Sequence, residues 1–320
     1  MLRVRVFRHD KAEGPDRGAA VAIGNFDGVH PGHQTVIAEA GGIARGLHIP
    51  HAVLTFDPHP FGVFKPDAPP FRLTPFRAKA RHIETLGVDL LFVIHFDLDF
   101  AKREPADFVD RVLIEGLGAR HVVVGYDFVF GRGRRGDSGL LMELGARKGF
   151  GVSVVEAISS PGGAVYSSTR IRELLTKGKP RAAAELLGRF WEIEGRVERG
   201  EGAARGLGVP TANLPLADYL RPSAGIYAVY AGIEDGGRTD WHEGVAYLGR
   251  RATLGAGELR LEAHLLDFSG ELLGRHLRVA LVEFLRPDAV FAGVDALKAQ
   301  LARDLANARS ALVGASPPHG

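Results

Sequence analysis

The chain of 320 residues contains no cysteine, which excludes disulfides, thiolate metal sites and cysteine nucleophiles. Its 40 basic and 38 acidic residues leave a formal charge of only +2, so it lacks the positive field that non-specific nucleic-acid binders need. No apolar run has the length of a signal peptide or a membrane span. We therefore expect a soluble cytoplasmic protein that binds neither nucleic acid nor membrane and is a monomer or a weak homo-oligomer.

The length predicts about two ordinary domains, because single hydrophobic cores usually split at about 250 to 300 residues. Residues 21–175 alternate short β-rich runs with helical patterns, which predicts βα units on a parallel sheet. The predicted strands are 21–23, 52–56, 90–96 and 122–124, and the predicted helices are 34–47, 75–86, 105–117 and 138–148. Thr74 before Pro75, and Glu104 before Pro105, are typical of helix starts.

The sequence after Arg189 has a different pattern. Apolar residues alternate with polar ones and glycine-rich turns separate such runs, which predicts a small antiparallel barrel or sandwich. The clearest alternating set is Leu259, Leu261, Ala263 and Leu265. A closing amphipathic helix is predicted from the apolar positions Val294, Leu297, Leu301, Leu305 and Ala308. We therefore predict an α/β doubly wound parallel-sheet domain over residues 1–185, and a small antiparallel β-barrel domain with a C-terminal helix over residues 186–312.

The segment Gly24–His33 follows the first predicted strand and opens the first predicted helix, where a doubly wound sheet offers its ligand crevice. Glycines let the backbone approach a ligand, and a helix start presents free N–H groups to phosphate. His30 and His33 are spaced to donate hydrogen bonds to phosphate oxygens. From the residues alone, three interpretations stay open: a nucleotide site, a metal site on the two histidines, and a plain turn. The segment has neither the dinucleotide-binding glycine pattern nor the Walker lysine loop.

Four segments of the first half carry a resemblance to a known family, at 24–33, 55–60, 123–131 and 167–172. Gly-Asn-Phe-Asp-Gly-Val-His-Pro-Gly-His at 24–33 is similar to the His-x-Gly-His signature of the nucleotidyltransferase superfamily, in the form found in prokaryotic FAD synthetases. The resemblance implies an FMN adenylyltransferase, which converts FMN and ATP into FAD and pyrophosphate. It implies catalytic roles for His30 and His33.

The same resemblance implies further site residues. ATP would be bound by Gly24, Asn25, Phe26, Asp27, Gly125, Asp127, Ser168, Thr169 and Arg170. The flavin would be bound by Pro58, His59 and Phe128. From the residues alone, the Ser-Thr-Arg run can also be an ordinary helix cap with a surface arginine, and Phe128 can be a core aromatic. Where family members often have arginine, this chain has Val129.

Four motifs of the second half occur in order at 208–213, 225–228, 244–246 and 262–268, and together they look like the riboflavin kinase domain. The resemblance implies that Gly208, Thr211 and Asn213 bind ATP, and that Thr211 and Asn213 also hold Mg²⁺. It implies that Glu262 takes the proton from the ribityl 5′-hydroxyl, so that riboflavin and ATP give FMN and ADP. Both reactions are implied to need Mg²⁺. The residues alone indicate only a glycine-rich turn at 206–214.

The local pattern gives a different expectation for Glu262. This residue shares a strand face with Arg260 and His264, and such a polar face is usually solvated. The chain also departs from the common family residues at Tyr247, Ala252, Leu254 and Leu273. Two further hypotheses therefore stay open: an enzyme in which only the adenylyltransferase works, and a flavin- or nucleotide-binding regulatory protein without turnover.

Overall fold

A computed structural model describes residues 4–9, 11–160, 162–199, 210–249 and 259–318. The chain forms two compact units, the first of Met1–Ala68 and Thr74–Ser167 and the second of Pro69–Leu73 and Ser168–Gly320. The predicted fold class, a parallel α/β sheet followed by a small antiparallel barrel, is confirmed. The functional division between residues 185 and 186 stays a prediction. Among the described residues, none of the helices combines the length and hydrophobicity that a membrane crossing requires.

Strands of the first unit run in the order β1 (Arg5–Phe7), β2 (Ala20–Ile23), β3 (His51–Phe56), β4 (Leu90–Ile94), β5 (His121–Gly125), β6 (Val129–Phe130), β7 (Gly136–Asp137) and β8 (Gly151–Val155). β6 and β7 pair as a short hairpin, and the others form one parallel sheet of order β1-β4-β3-β2-β5-β8. The four inner strands are the four that the sequence predicts. The chain leaves β2 for β3 on one side and later returns to β5 on the other, so β2 and β5 flank the topological switch point.

Helices of the first unit include α1 (Pro31–Leu47), α2 (Pro60–Phe64), α3 (Phe76–Glu84), α4 (Pro105–Asp107) and α5 (Ser138–Lys148), and α4 continues as a π-helix over Phe108–Gly116. The predicted start at Glu104 is confirmed, since Glu104 is the N-cap and Pro105 the first helical residue. The predicted cap at Thr74 is wrong. Pro75 is the N-cap of α3, and its side chain has no polar atom to make a cap bond. The Thr74 hydroxyl donates to Asp27 (3.3 Å) and does not cap the helix.

Apolar side chains fill both faces of the parallel sheet. β2 and β4 are buried over their whole length, which is typical of parallel strands covered on both sides. On one face Phe92 belongs to a core with Phe108 and Leu141. On the other face Leu91 belongs to a core with Ile37 and Ile83. These two layers fix the carboxyl ends of the strands, where the first candidate site lies.

The second unit starts with α6 (Ser168–Thr176) and α7 (Pro180–Leu187). Its antiparallel strands are β9 (Trp191–Arg196), β10 (Ala212–Pro215), β11 (Gly225–Asp235), β12 (Arg238–Gly249), β13 (Arg260–Leu265) and β14 (His276–Arg286), in the spatial order β10-β13-β12-β11-β14-β9. The two edges meet just beyond β9, where the Glu198 N–H donates to the Asn213 carbonyl (2.9 Å). This contact closes the sheet into a small barrel.

Residues Pro69–Leu73 belong to the second unit although they precede it in the sequence. The Leu220 N–H donates to the Arg72 carbonyl (2.8 Å). The Trp191 indole N–H donates to the Leu73 carbonyl (2.8 Å). Such backbone contacts between distant segments leave no local signal in the sequence, so the prediction of two contiguous domains does not include them.

Helix α8 (Val294–Leu312) packs on one face of the barrel through Ala308 and Leu312. Asp304, which is 2% exposed, accepts hydrogen bonds from Arg286 at 2.9 and 2.7 Å. The helix itself is predicted by its apolar spacing. The predicted apolar face is confirmed at Ala308 and wrong at Val294, which is 59% exposed, because the start of the helix extends beyond the buried contact.

Candidate functional site

The loop between β2 and α1 contains the first predicted site. It leaves the sheet at Gly24, beside the topological switch point, and ends at His30, the N-cap of α1. Pro31 is the first helical residue, where its missing N–H costs nothing. The free N–H groups and the positive dipole end of α1 therefore lie at the carboxyl edge of the sheet, where they favour an anion.

The two predicted catalytic histidines are stacked at this helix start. Their ring centroids are 3.6 Å apart and the rings are inclined by 18°. The backbone N–H of His33 donates to His30 Nδ1 (3.3 Å), so a neutral His30 carries its proton on Nε2 and can donate it to a ligand oxygen. The Tyr166 ring lies 6.4 Å from the His30 ring. Tyr166 is a wall of the site that no sequence motif indicates.

The backbone of this histidine loop, Gly24–His33, is held in an unusual conformation. Phe26 and Val29 have left-handed φ angles of 47° and 46°, which side-chain-bearing residues rarely adopt. Both side chains are buried, and this burial supports the strained backbone. A Cβ on Gly24 would lie 2.9 Å from the Phe26 ring, so glycine lets the ring close over the chain.

Asp27 and Thr74 brace the histidine loop from the protein interior. Both side chains are buried. The Thr74 N–H donates to Asp27 Oδ1 (2.9 Å), and the Gly28 N–H donates to Thr74 Oγ1 (2.8 Å). These contacts make Asp27 a support of the loop, and its direct contact with ATP stays a prediction. Sequence reasoning missed Thr74 because the residue before a proline also fits a helix cap.

The other predicted residues of this edge follow β3 and β5, the neighbours of β2. Pro58 and His59 come directly after β3, and His59 is the N-cap of α2. Gly125 ends β5, and the exposed Asp127 and half-buried Phe128 follow it. The candidate flavin contacts therefore lie at strand ends on either side of the histidine loop.

A row of phenylalanine rings at this end of the first unit is a feature that the sequence did not reveal. Successive ring centroids are 5.5 to 6.3 Å apart, typical of favourable aromatic pairs. In spatial order the row is Phe64, Phe96, Phe100, Phe108, Phe130 and Phe128. Phe64 is 57% exposed, so this end of the row offers an open aromatic surface.

Ser168, Thr169 and Arg170 form the first turn of α6. The helix begins at Ser168 itself, so all three residues are helical. Arg170 pairs with Glu173 on the exposed helix surface (2.9 Å). The role of this turn in phosphate binding stays a prediction.

The second predicted site is assembled by strand register. Asn213 on β10 is directly opposite Glu262 on β13, and Glu262 is directly opposite Tyr247 on β12. Opposite residues of antiparallel strands present their side chains on the same face, about 5 Å apart. The Asn213 amide donates to the carbonyl of Thr211 (3.4 Å). The structure therefore brings Thr211, Asn213 and Glu262 together, while Gly208 lies outside the described residues.

Glu262 is buried, with 6% of its surface exposed. The expectation from strand alternation, a solvated surface residue, is wrong here because the side chains of Asn213 and Tyr247 lie on both sides of Glu262 on the same face. His264 on the same face is half-exposed, and its Nδ1 lies 2.8 Å from the Pro210 carbonyl. Burial of a carboxylate costs free energy that its neighbours must compensate, and the role of Glu262 as the catalytic base stays a prediction.

Comparison with known proteins identifies the family. A family model described as FAD synthetase matches residues 12–170, and one described as riboflavin kinase matches residues 187–312. The chain is 38% identical over 302 residues to the bifunctional riboflavin kinase/FMN adenylyltransferase of Escherichia coli K12, with 94% of this chain and 95% of that protein covered. The chain belongs to this family. The resemblance stated from the sequence is thereby confirmed.

Two further relatives agree in sequence and in fold. The bifunctional riboflavin kinase/FMN adenylyltransferase of Pseudomonas fluorescens is 41% identical over 298 residues, with 92% of this chain and 93% of that protein covered. A solved structure from Streptococcus pneumoniae, named a macrolide-efflux protein, superposes with a TM-score of 0.83 at 28% identity and covers 96% of this chain and 99% of its own. The fold of this solved structure is therefore shared over nearly the whole chain.

Two of the departures from the common family residues can be placed in the second unit. The Tyr247 hydroxyl donates to Asp288 (2.8 Å), so this side chain is anchored beside Glu262. Leu273 is 48% exposed and does not fill a buried position. Ala252 and Leu254 lie outside the described residues.

Among the described residues, neither site offers a cluster of acidic and histidine ligands. In the part of the chain that the structure describes, no group of three or more histidine, cysteine, aspartate or glutamate side chains could hold a metal ion. The metal alternative for the His30 and His33 pair therefore has no third ligand of these types among the described residues.

Proposed function

We propose that the chain makes FAD in two ATP-consuming steps at separate sites. Riboflavin and ATP give FMN and ADP at the Asn213–Glu262 site, and FMN and ATP give FAD and pyrophosphate at the histidine loop. We assign the first reaction to residues 186–312 and the second to residues 1–185. The strongest support is that one chain matches the FAD synthetase and the riboflavin kinase families in succession.

Adenylyl transfer depends on positioning more than on proton transfer, because the phosphate of FMN is already ionised. One of its oxygens bonds to the α-phosphorus of ATP, while the bond from this phosphorus to the bridging oxygen breaks and pyrophosphate leaves. Negative charge grows on the departing pyrophosphate, and preorganised donors stabilise such charge. We assign this task to His30, His33 and the N–H groups at the start of α1. Their stacked geometry at a helix N-terminus supports the assignment.

The remaining first-site residues are assigned from the family resemblance. Gly24, Asn25, Phe26 and Asp27 are proposed to hold the ATP phosphates, and Gly125 and Asp127 are proposed to contact ATP from the end of β5. From the same resemblance, we assign phosphate binding to the hydroxyl, N–H and guanidinium donors of Ser168, Thr169 and Arg170.

We assign the isoalloxazine ring of FMN to Pro58, His59 and Phe128. A flat aromatic ring is best held by apolar and aromatic surfaces with a few polar contacts. The phenylalanine row supports this assignment, because Phe128 stacks at one end of it on Phe130 with ring centroids 5.5 Å apart.

In the kinase reaction, the Glu262 carboxylate accepts the proton of the ribityl 5′-hydroxyl. The hydroxyl oxygen bonds to the γ-phosphorus of ATP, the bond from this phosphorus to the β,γ-bridging oxygen breaks, and ADP leaves. Such a base must lie within hydrogen-bond reach of the alcohol and beside the phosphate site. The buried position of Glu262 opposite Asn213 supports this role.

Thr211 and Asn213 are the proposed Mg²⁺ ligands of the kinase site. A hydroxyl and an amide oxygen are hard oxygen ligands of the kind that Mg²⁺ accepts, so Thr211 and Asn213 would hold it beside the ATP phosphates. The amide nitrogen of Asn213 points to the Thr211 carbonyl (3.4 Å), which turns the amide oxygen the other way. When bound, Mg²⁺ neutralises charge on the ATP phosphates.

We place the enzyme in the cytoplasm, because both of its reactions consume ATP and a chain without cysteine fits a reducing compartment. Its proposed partners are the small molecules riboflavin, FMN and ATP. We propose that it binds neither nucleic acid nor membrane, which agrees with its formal charge of +2, and that it acts as a monomer or a weak homo-oligomer.

A time course with the purified full-length chain tests this function. With riboflavin, ATP and Mg²⁺, FMN should appear first and FAD later, with ADP and pyrophosphate as the respective co-products. FMN supplied directly should give FAD without a lag. Conversion of FMN but not riboflavin would support the hypothesis of a working adenylyltransferase alone. Flavin binding without either product would support the regulatory hypothesis.

A further inference from the structure

Lys79, a residue of α3, is buried beside the histidine loop. Its side chain is 5% exposed, and no other lysine in the described part of the chain is buried. Removing an ammonium group from water costs free energy that hydrogen bonds or a nearby anion must compensate. A lysine retained in such a place therefore points to a role in the neighbouring site.

The Lys79 ammonium holds the backbone of the loop. It donates to the Asn25 carbonyl (2.7 Å) and to the Thr55 hydroxyl (3.3 Å). The Thr55 hydroxyl donates to the same Asn25 carbonyl (3.2 Å). Side chains from α3 and β3 thus converge on one peptide group, directly before the left-handed Phe26.

The start of α3 holds the loop at a second point. Thr74, which precedes α3, contacts Asp27 (2.9 Å) and Gly28 (2.8 Å). Lys79 contacts the loop at Asn25. Because two separate points are held by one short stretch of chain, both the position and the rotation of the loop are restricted. This is how precise sites keep their reacting groups in place.

We propose that Lys79 is a positioning residue for adenylyl transfer, whose ammonium fixes the Asn25 peptide and adds a positive charge next to the ATP phosphates. This inference rests on the proposed function of the histidine loop. A charge in the protein interior is screened less than one in water. The buried ammonium therefore attracts the ATP phosphates and keeps the loop that binds them in position. Its loss should weaken the use of ATP more than the use of FMN.

Replacement by methionine tests the role, because Lys79→Met keeps the length of the side chain and removes its charge. The measurement is FAD formation from FMN and ATP by the full-length chain, with each substrate varied in turn. We expect kcat/KM for ATP to fall by about tenfold to hundredfold. The KM for FMN and the formation of FMN from riboflavin should not change. A merely structural role would instead affect both substrates together and lower the melting temperature.

Lys102→Met is the matched control. Lys102 is an exposed lysine of the same unit that pairs with Asp99 (2.7 Å), and its replacement should leave every constant unchanged. A folded Lys79→Met variant with the kinetics of the control would overturn the inference. If the unaltered chain itself forms no FAD, the proposed function fails instead, so the two failures are distinguishable.

Thr55→Val decides the question where Lys79→Met does not fold. Valine has the shape of threonine but removes the hydroxyl shared by Lys79 and the Asn25 carbonyl. We expect a several-fold loss of kcat/KM for ATP, about the effect of one lost hydrogen bond in a positioning contact, with the KM for FMN unchanged. Unchanged ATP kinetics in this variant would overturn the inference.

Discussion

The two candidate sites of this chain are assembled in opposite ways. The first takes its central residues from one contiguous loop, Gly24–His33, and uses backbone N–H groups at a helix start. The second takes Asn213 and Glu262 from strands that are distant in the sequence but directly paired in the barrel. A contiguous site is visible as a motif, whereas a register-built site depends on pairing that no local pattern contains.

The difference also sets how each site tolerates change. In the first site the backbone supplies much of the binding surface, so the supporting residues Thr74 and Lys79 matter beside the histidines. In the second site the chemistry depends on single side chains projecting from strands. A conservative change of one side chain in the second site should therefore have the largest effect on the kinase reaction. The same change should leave the first site intact.

Glu262→Gln should have the largest effect. Glutamine keeps the shape of the side chain but cannot accept the ribityl proton, and loss of a general base typically costs about 10² to 10⁴ in rate. FMN formation from riboflavin should fall by that order, while FAD formation from supplied FMN stays near its original rate. Product chromatography under initial-rate conditions measures both reactions, and a melting curve checks the fold.

Glu185→Gln is the control for this change, since Glu185 is exposed on α7 in the same unit. It should alter neither reaction. Nearly full kinase activity in Glu262→Gln would leave the base unassigned, and an equal loss of both reactions would break the comparison between two independent sites.

His33→Ala should have the second largest effect. It should impair the first site and spare the second, the reverse of Glu262→Gln. Removal of one preorganised donor to developing charge costs about 10² to 10³ in rate. FAD formation from FMN should fall by that order while the kinase reaction continues, so FMN should accumulate from riboflavin.

His95→Ala is the matched control in the first unit, because the His95 side chain is 72% exposed. It should leave FAD formation unchanged. A folded His33→Ala variant that loses FMN formation as well would contradict the assignment of the two reactions to different domains.

The sequence predicts those features that depend on residues close together in the chain. The four inner strands are predicted because continuous apolar runs fit strands buried on both faces. The edge strands β1 and β8 are not among the predicted strands; the residues of β8 are all partly exposed. The place of His30 and His33 at a helix start is predicted, because the strand, the glycines and the helix follow one another in the chain.

Features that depend on distant partners could not be predicted. The position of Thr74 before a proline is typical of a helix cap. In the structure its hydroxyl donates to Asp27 instead, because the tertiary contact outweighs the local preference. Lys79 is one of several lysines in the sequence, and only the fold places it against Asn25. The burial of Glu262 depends on strand register in the same way.

Another histidine of the first unit, His51, lies at the opposite end of the strands from the histidine loop and offers a test that separates stability from catalysis. His51 begins β3, is 6% exposed, and its ring nitrogens face the carbonyls of Ile37 (2.9 Å) and Gly87 (3.2 Å). Burial lowers the pKa of His51 below its usual value of 6.5 and outweighs the two carbonyls. Its titration should therefore affect the stability of the first unit without affecting the chemistry of either site.

The sign follows from proton binding. Because the pKa of His51 is lower in the folded chain than in the unfolded chain, the unfolded chain binds more protons below pH 6.5. The free energy of unfolding should be highest above this pH, fall as the pH drops toward the folded-state pKa, and then level off.

His51→Gln, whose amide can donate to the Ile37 carbonyl, should flatten this part of the profile, and His95→Gln should not. Denaturant unfolding across this pH range measures the effect, which should be the smallest of the three because one pKa unit corresponds to about 1.4 kcal/mol. An unchanged slope in His51→Gln would mean that other groups control the acid sensitivity of the first unit.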